Sequence, residues 1–206
     1  MLSPYKHSYG QIITTDAEGV SVDRSFLAHV NIPAAIAVAA DGDGILDGEE
    51  APTGEEAVAL VVEEFLAQPT WPRNITVTLA ATTAGDVAAD SVIVAGKNVA
   101  GEVISEEFAF SDDTPATKVG SLAFAEVTSV TIPVQDGASV TVDVGWGDKF
   151  GIPYKLYADE LVILKLFNKA VDTATIANSA TAIESNTADM NGTPDGLKDI
   201  DLYIIV

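Results

Sequence analysis

Four segments between residues 72 and 154 decide the fold: PRNITVTLAATTAGDV (72–87), SVIVAGKNVAGEVISEEFAF (91–110), KVGSLAFAEVTSVTIPVQDGASVTVDV (118–144) and GWGDKFGIPY (145–154). Apolar and polar residues alternate within them over short runs, and glycine, asparagine and aspartate interrupt the runs. Alternation with a period of two residues predicts strands with one buried face, and the interruptions predict turns. The segments therefore predict a twisted antiparallel sheet.

Three runs place apolar side chains at every second position: Ile75, Val77 and Leu79; Val130, Ile132 and Val134; and Val140, Val142 and Val144. Gly-Lys-Asn at 96–98 predicts a hairpin turn, because glycine and asparagine accept positive φ values. The last eight residues, DIDLYIIV (199–206), predict a closing strand. We therefore predict a mainly β protein, built as an antiparallel β-sandwich or distorted barrel with at most one or two short helices.

The composition restricts the classes of function. Hydrophobic residues make up 48% of the 206 residues, which is enough to build a core. Ten Lys and Arg residues stand against 31 Asp and Glu residues, which leaves a formal charge of −21. Nucleic-acid binding requires clustered cations, and an anionic membrane surface repels an acidic chain, so we predict neither partner. The lack of cysteine excludes disulfides, thiolate metal sites and cysteine nucleophiles.

The chain shows no convincing linker, and we predict two parts. Residues 1–24 form an N-terminal arm and a first strand, and residues 25–206 form a β-rich body. Within the body, residues 39–56 indicate an acidic loop, residues 57–67 favour a strand over a helix, and residues 173–195 indicate a surface excursion.

The acidic loop contains the sharpest candidate for a metal site. AADGDGILDGEE (39–50) resembles the twelve-residue calcium loop, in which a tight turn surrounds a hard cation with oxygen atoms. The candidate ligands, at loop positions three, five, nine and twelve, are Asp41, Asp43, Asp47 and Glu50. Position one is Ala39, which has no side-chain oxygen, so a solvated acidic loop is the competing interpretation.

No catalytic group is predicted. The two histidines, His7 and His29, lack the neighbouring residues of zinc sites or nucleophilic triads. Acidic residues often occur as sequence neighbours, such as Glu106 and Glu107. Neighbours on a strand point to opposite faces, so they do not form the facing carboxylate pair of a glycosidase. We therefore predict that the protein is not an enzyme.

Large aromatic side chains are the candidates for contacts with a partner. Tyr5 and Tyr9 lie in the N-terminal arm, Trp71 precedes the first strand-rich segment, and Trp146 lies in the last. Such rings often anchor interfaces, so we predict these four residues as contact residues. Trp146 stands in residues 145–154, whose glycines and proline also fit a tight, well-packed corner, and both interpretations stay open.

The strand-rich segments resemble virion proteins of tailed phages that are encoded near the major capsid protein. The family patterns are P-R-N-[IV]-T-V-T, T-A-G-D, G-E-x-I-[ST]-E, K-x-F-x-x-V-T-S-V-T-[IL]-P and G-x-G-D-K-[LF]-G-[IL]-P-Y. The matching residues are 72–78, 83–86, 101–106, 122–133 and 145–154. Leu122 replaces the usual lysine, which removes any contact made by that lysine. The resemblance extends over about the C-terminal two thirds of the chain.

The resemblance implies a structural component of the phage particle, made in the host cytoplasm. Within that class, it implies a capsid cement or decoration protein on the capsid exterior, which binds and stabilises the outer surface of the shell. The partner would be the major capsid protein, and the chain would form a homo-oligomer, with a trimer as the common arrangement. A tail, baseplate or receptor-binding virion protein is the first alternative, and a calcium-binding β module is the second. We predict no cofactor, and calcium is the one candidate considered.

Overall fold

The structure is a computed structural model that describes residues 12–14, 21–23, 26–54, 56–61 and 64–206. It is 51% strand and 6% helical, and no helix among the described residues reaches seven residues. The antiparallel sheets curl into a half-barrel with sandwich-like packing, so the predicted fold class is confirmed. No described helix is long and apolar enough to cross a membrane.

The described strands are, in chain order, β1 (Ile12–Thr14), β2 (Ser21–Asp23), β3 (Leu27–Ile32), β4 (Asp41–Glu50), β5 (Val58–Val61), β6 (Arg73–Ala81), β7 (Ser91–Lys97), β8 (Val103–Ala109), β9 (Ala116–Phe124), β10 (Glu126–Ile132), β11 (Val140–Gly151), β12 (Val162–Phe167), β13 (Ala170–Val171), β14 (Thr175–Ala177), β15 (Thr187–Asp189) and β16 (Ile200–Ile205). Short 3-10 turns occupy Ala84–Asp86, Asp159–Leu161 and Ile183–Ser185.

These strands form four antiparallel sheets. β1 and β2 pair only with each other in the described residues. Sheet I has the strand order β5-β10-β7-β8, and sheet III has the order β13-β12-β16-β3. Sheet II has the order β14-β15-β11-β6-β9, and β4 pairs with β11 on the same side as β15.

The longest described strand, β11, links two hydrophobic cores. Strands of sheets I and II form the first core, which contains Val130. Sheet III and the end of β11 form most of the second core, which contains Leu202. β11 contributes Trp146 to the first core and Phe150 to the second. One continuous strand therefore carries side chains of both cores.

Most of the strands predicted from alternation are confirmed, together with the faces that they bury. Ile75, Val77 and Leu79 of β6 lie in the first core, as do the valines of β11. The predicted closing strand is β16, which buries Ile200 and Leu202. The strand favoured over 57–67 is found as β5, and strands β1 and β2 fall in the segment predicted to hold the first strand.

Residues 39–56 are not the loop that the sequence predicts. Asp41–Glu50 forms β4, which pairs antiparallel with β11 and places Leu46 opposite Val144. Ile45 and Leu46 are buried in the first core, so strand pairing removes apolar surface from water. This burial outweighs the low strand propensity of the surrounding glycine and aspartate residues.

The hairpin turn after β7 lies further along the chain than predicted. Gly96 and Lys97 belong to β7, and the turn follows at 98–102, where Gly101 has a φ of +80°. A Cβ atom at Gly96 would overlap the backbone oxygen of Glu126 in the neighbouring β10. Positive φ and close strand approach both select glycine, so a glycine by itself does not reveal which one applies.

Two further segments are more regular than predicted. Residues 145–154 do not form a corner, because all but the last three complete β11. Residues 173–195 include β14 and β15 and are not only a surface excursion. Within them, Asn186 is fully buried and its Nδ2 donates to the carbonyl oxygens of Ser179 and Ala182. Asn186 Oδ1 also accepts from the Leu156 backbone N–H at 3.1 Å, and this bond ties the segment to the packed body.

Candidate functional site

The two tryptophans predicted as contacts occupy different environments. Trp71 is half-buried beside the second core, and its Nε1 donates a hydrogen bond to the backbone oxygen of Gly151 at 2.9 Å. Trp146 is only 9% exposed, and its Nε1 donates to the backbone oxygen of Ala39 at 3.3 Å. Packing and a contact role were both open for Trp146, and its burial favours packing. Trp71 keeps some exposed surface that a partner could contact.

The predicted calcium ligands are spread along β4 instead of around one point. They are exposed side chains of a single strand: Asp41, Asp43, Asp47 and Glu50. A calcium loop folds its oxygens around one ion, whereas these side chains follow one another along a strand whose register against β11 shifts twice. Within the described part of the chain, no three His, Cys, Asp or Glu side chains are grouped to hold a metal. The arrangement lends the site no structural support, and calcium binding stays a prediction.

Two of these carboxylates do meet. Asp41 shares a side-chain hydrogen bond with Asp43, and this contact, followed by partial burial, raises the pKa of Asp41. The raised pKa shows that charging both carboxylates together is unfavourable. Protonation of Asp41 therefore stabilises the pair. Two side chains nevertheless provide fewer oxygens than a calcium site requires.

The outer face of sheet III carries a polar cluster that no sequence motif indicated. The β3–β16 register places His29 opposite Tyr203 and Asn31 opposite Asp201. His29 Nε2 lies 2.7 Å from Asp201 Oδ1, and Asn31 Nδ2 donates to the same oxygen at 2.8 Å. The His29 ring stacks on Tyr203 with centroids 4.5 Å apart. The carboxylate of Asp201 is therefore bound by partners within the chain.

Sheet III also leaves apolar side chains in solvent near this cluster. Leu27 of β3 is 60% exposed, and Ile163 of β12 is 53% exposed. Apolar surface with few charges is typical of the central part of protein interfaces. The alternation of Val30 and Ile32, both buried, indicates which face of β3 points outward. Only the pairing of β3 with the last strand brings the cluster together.

A buried arginine stands where the two cores meet. Arg73, at the start of β6, is 1% exposed, and its Nη1 donates to the backbone oxygen of Val38 at 2.8 Å. Its guanidinium lies 4.3 Å from the ring centre of Phe150, and Nη2 lies 3.7 Å from Asp148 Oδ1. Burial lowers the pKa of Arg73 to about 10, and attraction to Asp148 opposes this shift. Arg73 is therefore charged at neutral pH and holds neighbouring segments together.

Comparison of the chain with protein-family models, with curated proteins and with solved structures found no match. The resemblance to phage virion proteins therefore stays a prediction from the sequence. Tyr5 and Tyr9 lie outside the described residues, and Trp71 and Trp146 belong to different cores. The contact roles of these four aromatic residues also stay predictions. What the geometry offers is exposed apolar and acidic surface on a strand-built body.

Proposed function

We propose that this chain is a structural protein of a tailed-phage particle, where it acts as a capsid decoration protein. The supporting observation is the location of the resemblance in the fold. Residues 72–78, 101–106, 122–133 and 145–154 run through β6, β8, β9, β10 and β11, which all contribute to the first core. Matching segments that pack into one unit support a shared fold better than scattered matches would.

The proposed work is binding, without bond-making. Exposed apolar side chains such as Leu27, Val103 and Leu197 provide surface that a partner can bury. The exposed acids of β4 and the charge of −21 favour basic patches on that partner and keep free copies soluble. The chain would be made in the host cytoplasm and would join the capsid exterior as a homo-oligomer, for which the resemblance suggests a trimer.

The decisive experiment locates the chain in a particle. Particles produced from the phage genome that encodes it are imaged by cryo-electron microscopy, and shells stripped of the chain are mixed with purified protein. We expect density on the outer shell and saturable rebinding to stripped shells. Density at the tail or baseplate, or binding of the purified chain to host cells, would instead favour the tail or receptor-binding alternative. Particles that lack the chain would refute the proposal.

Rebinding also tests the aromatic contacts of the arm. The double variant Tyr5→Ala/Tyr9→Ala should bind stripped shells less tightly than the natural chain, because large rings often anchor interfaces. Tyr157→Ala is the matched control, since Tyr157 is a 75% exposed tyrosine outside the arm. Equal rebinding of both variants would remove the arm from the interface.

The calcium alternative is tested separately by calorimetry. A titration that releases or absorbs heat, raises the melting temperature and loses both effects in Asp43→Asn would support a calcium-binding β module. A titration with neither effect would exclude it.

A further inference from the structure

β3 is an edge strand without the usual protection. It pairs with β16 over six consecutive residues without a register shift, and no described strand pairs with its other side. Its sequence, LAHVNI, contains no Asp, Glu, Lys, Arg, Gly or Pro. Proteins normally protect edge strands from pairing with another chain by charges, prolines, bulges or short length, because an unpaired edge accepts another strand. β3 has none of these features.

The other free edges in the described structure are protected. β13 has two residues, β1, β2 and β14 have three each, and β5 has four. β4 carries exposed acids, β8 carries Glu106 and Glu107, and the pairing of β9 with β6 shifts in register. β3 is therefore the described edge best suited to strand addition.

The ladder shows which backbone groups of β3 face outward. Phe26 and Val206 exchange two backbone hydrogen bonds, at 2.9 and 2.8 Å, just before β3 begins. Hydrogen-bonded pairs alternate with non-bonded pairs along an antiparallel ladder. Ala28, Val30 and Ile32 therefore bond to β16. The N–H and C=O groups of the three residues between them, Leu27, His29 and Asn31, point away from it.

We propose that β3 is the interface between two copies of this chain, whose β3 strands pair antiparallel about a twofold axis at His29. With this centre, His29 pairs with its counterpart and Leu27 pairs with Asn31 of the other copy. All three outward residues then exchange main-chain hydrogen bonds with the other copy. A twofold axis one residue away would leave some of their outward N–H and C=O groups without a partner in the other β3. Two copies of sheet III become one continuous sheet, and both free edges disappear.

The distribution of charge favours a second copy as the occupant. A chain of charge −21 repels its own copies wherever acidic side chains face each other. β3 presents none, and the nearby Asp201 is already bound by His29 and Asn31 of its own chain. For the same reason a basic partner finds nothing on this strand to recognise. The inference does not depend on the proposed place in a phage particle, and its twofold pair of chains differs from the trimer that the resemblance suggests.

The first test measures molar mass by size-exclusion chromatography with light scattering, at about 0.15 M salt to screen the net charge. We expect a species of twice the 21.4 kDa chain mass that dissociates on dilution. Leu27→Glu adds an acid within the interface and should weaken dimerisation at least tenfold. Val103→Glu is the control, because Val103 is an 81% exposed residue on the β8 edge. A chain that is monomeric at all concentrations, or equal effects of the two variants, would refute the interface.

The second test uses the lack of cysteine in the chain. Paired residues on an antiparallel ladder have Cα atoms about 5.5 Å apart, within the range that a disulfide spans. His29→Cys, on the axis, should therefore form a disulfide-linked dimer under mild oxidation much faster than Val103→Cys. Equal rates for the two variants would contradict the proposed axis. An oligomer that survives Leu27→Glu and does not crosslink through residue 29 uses another surface.

Discussion

Arg73 shows how much a single buried side chain can contribute to this fold. Its guanidinium donates to the backbone oxygen of Val38 and covers the ring of Phe150, which belongs to the second core. Two of its nitrogens, Nε and Nη2, are buried without a hydrogen-bond partner. The desolvation that lowers its pKa to about 10 is therefore only partly offset by Asp148. The charge is retained because the pKa stays well above neutral. The guanidinium links β6 to the segment at Val38, which no strand ladder joins to β6.

Replacing Arg73 should be costly. Arg73→Ala should lower the free energy of unfolding by about 3–5 kcal/mol, because it leaves a cavity and an unpaired carbonyl. Arg73→Lys should lose less, since it keeps the charge and most of the volume but not the planar group over Phe150. Urea denaturation followed by circular dichroism measures both. The exposed Lys155 is the control, and Lys155→Ala should change stability by less than about 0.5 kcal/mol. A similarly small effect of Arg73→Ala would contradict the proposed linking role.

The Asp41–Asp43 pair makes a prediction about pH. The pKa of Asp41 is raised in the folded state, so the folded chain binds this proton more readily than the unfolded chain. Stability linked to this group therefore increases as pH falls through the raised value and decreases as pH rises. Asp43→Asn should stabilise the protein at pH 7 by only a few tenths of a kcal/mol, because solvent screens charges on exposed side chains. The gain should shrink toward pH 4.

Melting temperatures across this pH range provide the measurement. Asp112→Asn, at an exposed residue outside the pair, serves as the control. A gain from Asp43→Asn that does not change with pH would show that the two carboxylates do not share a proton.

At the scale of elements, a carboxylate connects sheets I and II where β8 lies beside β9, a junction called the seam below. Glu106 of β8 reaches β9, where its Oε1 accepts from the Ser121 backbone N–H at 2.6 Å and from Ser121 Oγ at 2.9 Å. Its Oε2 accepts from the Leu122 N–H at 3.3 Å. β8 and β9 are not joined by a ladder, so these bonds replace strand pairing at the seam.

Loss of this carboxylate should loosen the seam. Glu106→Ala should destabilise the protein by about 0.5–1.5 kcal/mol, because it removes these hydrogen bonds, although water can reach the exposed Ser121 donors. Glu107→Ala, on the same strand but exposed, should have an effect within about 0.5 kcal/mol. Hydrogen exchange gives the local measurement, in which the amides of Ser121 and Leu122 should exchange faster only in Glu106→Ala. Unchanged exchange of these two amides would show that the seam is held by other contacts.

The contact between β4 and β11 depends on a glycine. A Cβ at Gly145 would overlap the backbone oxygen of Asp41, so Gly145→Ala should force the strands apart and cost about 1–3 kcal/mol. Gly42, on β4, has open space at its Cβ position, and Gly42→Ala should be close to neutral. Thermal unfolding compares the two variants. A neutral Gly145→Ala would show that β4 can shift along or away from β11 without loss.

At the scale of the whole molecule, the two cores should unfold together because β11 runs through both. The chain has two tryptophans, and Trp71 packs against the second core while Trp146 lies in the first. Each single-tryptophan variant, Trp71→Phe or Trp146→Phe, therefore reports on one core. Within each variant, fluorescence and far-UV circular dichroism should give the same urea midpoint. Midpoints that differ within one variant would show that the cores unfold separately.

The sequence predicted the strands whose alternation is complete. Ile75 and Val142 lie on predicted buried faces, and both are in the first core. It did not predict β4, because only Ile45 and Leu46 among its ten residues are buried apolar side chains. Its strand character comes from a partner about a hundred residues away in the chain. The candidate contacts were predicted from residue type alone, which does not distinguish a core tryptophan from a surface one.

The sequence by itself determined the mainly β class, the strongly acidic surface and the absence of thiol chemistry, because alternation, charge and composition are local properties of the chain. Only the tertiary structure decided that β3 pairs with β16, that no described strand pairs with the other side of β3, and that Arg73 lies between two cores. These features join residues far apart in the chain, and local periodicity carries no information about which strands become neighbours. Pairing depends on which arrangement buries the most apolar surface while satisfying backbone hydrogen bonds, and that balance exists only in the folded molecule.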